Sequence, residues 1–128
     1  MSFTSAVTLE GSGMPGLQAA LIGRTVSAIA GVGTAQGGAV IPLSVTTVVG
    51  TVTTGATAFT LPASTPIGDA VEFVNASSTA TTALLFPDSG SALNAAGANN
   101  SVSVAQSKSM ICVRTSATQW WSIPVVPS

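Results

Sequence analysis

From Arg24 onward, apolar residues recur in short runs divided by turn chemistry. The run Val45-Thr46-Thr47-Val48-Val49-Gly50-Thr51-Val52 is dominated by β-branched side chains, which fit a pleated surface and are poor helix formers. Residues 56–61 form a second run that Pro62 ends, and Pro62-Ala63-Ser64-Thr65-Pro66-Ile67-Gly68-Asp69 is a turn-rich connection. Val71 and Phe73 then share one face of residues 71–75. Residues 81–86, 102–105, 109–114 and 119–124 complete the set, with loops at Pro87-Asp88-Ser89-Gly90 and over residues 94–100. Six to eight short strands at roughly 8–12-residue spacing predict an all-β domain, a small antiparallel sandwich or jelly-roll-like barrel.

The alternation is most informative where it fails. Met110-Ile111-Cys112-Val113, Leu84-Leu85-Phe86 and Trp120-Trp121 are apolar at successive positions, so both faces of those strands are apolar. A sheet with one wet face alternates cleanly. Strands of this kind in so small a domain imply a second covered surface, either a contact between subunits or a loop or arm of the same chain. Of the two tryptophans, one ring is expected to fill the core. The other covers the arm or a neighbouring subunit, which makes Trp120 and Trp121 the candidate subunit-interface residues.

Residues 1–23 have a different texture, and the chain divides into an N-terminal arm over 1–23 and a β domain over 24–128. The arm holds a short alternating run (Phe3, Ala6, Val7, Leu9), a glycine-rich turn, and Leu17-Gln18-Ala19-Ala20-Leu21-Ile22 between Pro15 and Gly23. That last run has the signals of about two helical turns. Alone it is too short to be stable and must dock on something.

Charge narrows the functional classes. Lys and Arg number 3 and Asp and Glu 4, so charged residues make up 5% of the chain where about 25% is usual. With 46% hydrophobic residues the chain can build a core, which excludes disorder. The surface is therefore either coated with Thr, Ser, Asn and Gly or largely covered by neighbours. Three cations cannot neutralise a run of phosphates, so nucleic-acid binding lacks its electrostatic drive. The start of the chain has neither the basic nor the apolar region of a signal peptide. Arg24, Gln36 and Pro42 break the apolar stretch over residues 19–45, so no membrane span is expected.

Candidate chemistry is sparse. His is absent, which removes Ser/His and Cys/His nucleophile pairs and the usual metal ligands. Cys112 is the only cysteine and lies in an apolar run, as a small core hydrophobe would. Asp69 and Glu72 point to opposite faces of a strand, and Asp88 sits in a turn where capping its own backbone is the ordinary role. Lys108, beside Ser107 and Ser109, is expected to be solvated. Gly11-Ser12-Gly13-Met14-Pro15-Gly16 matches the dinucleotide-binding spacing. It has no acidic residue about 20 positions on, however, and Pro15 removes an amide that would cradle phosphate. A hinge is the better reading, and no cofactor, metal or catalytic residue is expected.

Several segments together resemble a small β module found among structural proteins of tailed phages. They are Gly68-Asp69-Ala70-Val71-Glu72-Phe73-Val74-Asn75, Phe86-Pro87-Asp88-Ser89-Gly90, Leu93-Asn94 and Thr115-Ser116-Ala117-Thr118-Gln119-Trp120, after the run from Ala35-Gln36-Gly37 to Leu61-Pro62. Similar sequences occur in capsid decoration (cement) proteins of the cyanophage type and in some fibre proteins, and the likeness covers about residues 30–123. The resemblance implies a non-enzymatic virion protein, made in the host cytoplasm and placed as a homotrimer on the outer capsid surface. Its partners would be further copies of itself and the major capsid protein, with no nucleic acid and no membrane. The arm would then contact the shell through Phe3, Val7, Leu9, Leu17, Leu21 and Ile22. The alternative is a head-fibre or tail-fibre module that binds host surface glycans through its loops and a tryptophan.

Overall fold

The computed structural model describes residues 25–123, which form ten strands and no helix. In chain order these are β1 (Val26–Ala30), β2 (Ala39–Val40), β3 (Thr47–Thr51), β4 (Ala58–Thr60) and β5 (Ala70–Asn75), followed by β6 (Ala83–Phe86), β7 (Ala92–Leu93), β8 (Val102–Val104), β9 (Ser109–Ser116) and β10 (Gln119–Ile123). They make a six-stranded sheet in the order β1-β3-β5-β9-β10-β7 and a four-stranded sheet in the order β2-β4-β6-β8.

The chain winds back and forth between these sheets. Three successive turns, β1 to β2, β3 to β4 and β5 to β6, each give one strand to each sheet. Strands of consecutive turns pair in parallel in both sheets. Val26 lies opposite Thr47 and Thr47 opposite Glu72, which are offsets of 21 and 25 residues. In the other sheet Ala39 lies opposite Phe59 and Phe59 opposite Leu85, offsets of 20 and 26. The stack then reverses, with β8 antiparallel to β6, β9 to β5 and β10 to β9, while β7 runs parallel to β10.

The all-β expectation holds, but the antiparallel sandwich or jelly roll does not: the sheets are mixed and their first three turns are parallel. A parallel pair needs a crossover of a dozen or more residues. Here each crossover contains a strand of the opposite sheet, so locally it reads as strand, turn, strand, like an antiparallel meander.

The core lies between the two sheets. Val48, Phe73, Met110, Cys112 and Trp120 line the inner face of the larger sheet and cluster with Phe59, Leu61 and Leu85 from the smaller sheet and the turn after β4. Each such side chain contributes about 1.5–3 kcal/mol on burial. Phe59 and Phe73 meet edge to face, with centroids 4.8 Å apart. Gly50 makes room for them, because a Cβ there would sit 2.7 Å from Cζ of Phe73 and 3.1 Å from Cζ of Phe59.

Polar groups at the strand ends are tied in. The buried Asn75 side chain donates to the carbonyls of Thr81 (3.0 Å) and Val104 (2.9 Å) and accepts from the Ser77 amide. Asn94, in the left-handed region at φ 56°, donates to the Ser122 hydroxyl and accepts from the Ser122 amide. Asn tolerates that backbone conformation better than other non-glycine residues.

Candidate functional site

Of the charged side chains, Asp88 and Arg114 are used structurally by the fold. Asp88 enters the interior from the loop after β6. Its Oδ1 accepts from Trp120 Nε1 at 2.9 Å, and its Oδ2 pairs with Arg114 Nη2 at 3.4 Å. This corrects the expected backbone-capping role of Asp88. The Arg114 guanidinium also lies 5.5 Å from the Trp120 ring centre.

Arg114 spends its remaining donors on main-chain carbonyls. Nη1 reaches Ala63 (2.6 Å) and Thr65 (3.2 Å), Nη2 reaches Ala117 (2.6 Å), and Nε reaches Ser116 (3.3 Å). A guanidinium has five N–H donors, and with the Asp88 contact all five are engaged. No donor is left for a phosphate or carboxylate ligand. The cluster pins three loops, those after β4, after β6 and between β9 and β10.

Cys112 is fully buried, and desolvation pushes its thiol from the ordinary 9.0 up to about 12, so it is held as the unreactive thiol. Lys108 is exposed, and Glu72 accepts from the Thr47 hydroxyl at 3.3 Å. Among the described residues no group of three or more His, Cys, Asp or Glu could hold a metal ion. Among them, too, every buried side-chain nitrogen or oxygen has a hydrogen-bond partner.

One open groove of about 360 Å³ lies beside the smaller sheet, lined by Gln36, Gly37, Val40, Thr60, Leu61, Ala63, Asp88 and Ser89. Its polar groups are largely committed within the fold. Gln36 Nε2 donates to the Pro87 carbonyl (2.8 Å), and the Thr60 hydroxyl accepts from the Gly37 amide (2.9 Å). No aromatic ring lines it.

The most distinctive surface is the outer face of the six-stranded sheet. Register places Val26, Thr47, Glu72, Ile111 and Ile123 side by side in one row across five strands. A second row holds Ala28, Val49, Val74 and Ser109, and a third holds Ala70, Val113 and Trp121. Trp121 is 42% exposed, Ile111 37%, Ile123 66% and Val26 68%. Glu72 is the only charged residue in these rows. The face is therefore broad, nearly uncharged and apolar, where a solvated sheet face is normally polar.

The two tryptophans separate. Trp120 is fully buried inside its own chain, so it belongs to the core and offers no surface to a partner. Trp121 projects from the outer face. The remaining expected partner-binding residues, Phe3, Val7, Leu9, Leu17, Leu21 and Ile22, lie outside the described residues, as does the glycine-rich segment at 11–16. Residues of the outer face that the sequence pattern did not single out are Val26, Val49, Val74 and Ile123. Their signal is weak because each lies in a strand with only two or three outward positions.

Among the described residues no helix is long and apolar enough to cross a membrane. Compared with protein-family models, curated proteins and solved structures, the chain gives no match.

Proposed function

We propose that this chain is a non-enzymatic structural module of a tailed-phage particle, a capsid decoration protein that works as a homo-oligomer on the outer surface of the head. The observation that carries the reading is the apolar, almost uncharged outer face of the six-stranded sheet, set on a core whose polar groups are already satisfied. A protein with this division gains its function from surface burial rather than from reactive groups. Repetition around a lattice point would turn modest contacts into avidity, because once one subunit has docked its partners bind at high effective concentration.

The residues proposed to reach the capsid are those of segment 1–23, and the β domain holds the copies together. Glycan binding is less favoured, since Trp121 stands on the outer face of the larger sheet and the groove beside the smaller sheet has no ring for a sugar to stack on.

The test is co-sedimentation of purified protein with phage capsids stripped of their decoration protein. The full chain is expected to rebind, and a chain lacking residues 2–23 is expected to stay in the supernatant as a folded oligomer. Failure of the full chain to bind, together with binding to host cells or polysaccharide, would overturn the decoration role in favour of a fibre module.

A further inference from the structure

We infer that the outer face of the six-stranded sheet is covered by a second copy of this chain, packed sheet on sheet, with Trp121 and Ile111 at the centre of the contact. The inference rests on the assembly reading above and deepens it by naming the surface through which two copies meet, a two-fold contact because the same face serves both, in place of the trimer that the resemblance implies.

The face is large enough for such a contact. Five strands at about 4.8 Å spacing, each with about five residues at about 3.3 Å, give a flat face of roughly 400 Å². That is the size of the largest apolar patch on a typical monomer, about 300–600 Å², and patches of this size are often functional. Two such faces project to roughly 800 Å², and protruding side chains such as Trp121 and Ile123 make the accessible area larger than the projection. A two-copy contact therefore approaches the ~1,200 Å² at which specific interfaces begin.

Its charge suits a copy of itself. Selection of a different protein ordinarily draws on complementary charges. This face has one charged side chain, Glu72, and its carboxylate already takes the Thr47 hydroxyl. It has little with which to choose a charged partner and little with which to repel itself. The whole chain carries a net charge of −1, so copies meet with almost no Coulomb cost.

Its shape suits a second sheet. Sheets pack face to face about 10 Å apart, interdigitating the side chains of both. A face of aligned rows made mostly of Val, Ile and Ala, with Thr47, Glu72 and Ser109 among them and one protruding indole, suits another twisted sheet of the same pitch. A copy of the same chain supplies that sheet.

The experiment is the native mass of the full chain by sedimentation or light scattering, for wild type and for Trp121→Arg and Ile111→Lys, with Val40→Arg on the outer side of the smaller sheet as a control. The wild type and the control are expected at a multiple of 12.5 kDa, and both face variants at the single-chain mass with cooperative melting retained. Either face variant falling to single-chain mass while still folded supports the inference, even if the other unfolds. Folded face variants that keep the wild-type multiple would overturn the face assignment and leave the assembly reading standing. A wild type at single-chain mass would overturn both.

Discussion

Trp120 and Trp121 are neighbours in sequence and lie on opposite sides of one sheet. Trp120 is enclosed by its own chain, with its indole N–H on Asp88 and its ring beside Arg114. Trp121 stands among Val113, Ala70 and Ile111 with 42% of its surface exposed. The two sides are built from similar apolar side chains, yet the described residues complete only one of them. The inner side has a second sheet over it and a polar network with every donor used. The outer side has the apolar rows of a core without the other layer. In a chain with almost no charge, hydropathy alone does not separate a surface covered from within from one left for another molecule. The difference appears only once register shows which residues line up across strands.

The largest effects should come from the inner side. Trp120→Ala removes the biggest core side chain and the Asp88 donor, and should lower unfolding free energy towards the upper end of about 3–5 kcal/mol in a denaturant titration. A loss below about 1 kcal/mol, typical of surface changes, would take that ring out of the core. Asp88→Ala leaves the Arg114 cation buried without its counter-charge and should cost towards the lower end of about 3–5 kcal/mol. Unchanged stability would mean that the loops hold without the pair.

Gly50→Ala should cost about 1–3 kcal/mol by overpacking, since the new methyl meets the fully buried rings of Phe73 and Phe59. A stabilised variant would show that the Phe59–Phe73 pair can shift.

At neutral pH the smallest effect concerns Cys112. The folded protein should resist thiol reagents until denatured, and rapid labelling of native protein would contradict its burial. The thiol ionises near 9.0 in the unfolded chain and near 12 in the folded one, so between these values the unfolded chain binds fewer protons. Stability should be indifferent to this group below pH 9 and fall as pH rises from there towards about 12. In Cys112→Ala that alkaline fall should be reduced.

The sequence made much of this legible. Seven of the strands lie within or overlap runs of β-branched and aromatic residues, and the doubly apolar run Met110-Ile111-Cys112-Val113 marks the outer face directly. The strands β1, β2 and β7 are not legible. Val26-Ser27-Ala28-Ile29-Ala30 merges into a glycine- and alanine-rich stretch, and two-residue strands have no periodicity. The parallel winding is hidden because successive turns are 21 and 25 residues apart in one sheet and 20 and 26 in the other, so no repeat shows in the sequence. The Pro-Asp-Ser-Gly pattern suggests a local role for Asp88, whereas its partners lie 26 and 32 residues away. Separations of that kind are set by the fold and leave no mark on local spacing.

Acrylamide quenching of tryptophan fluorescence reads directly whether Trp121 is covered when the protein is assembled. The chain has two tryptophans, and Trp120 is shielded in any folded state, so the quencher-accessible fraction reports Trp121. Wild type at high concentration should show a small accessible fraction. The folded Ile111→Lys variant, with its copies separated, should show a markedly larger one. Equal fractions in the two proteins, with Trp121 open in both, would contradict the claim that a second copy completes the outer side of the sheet.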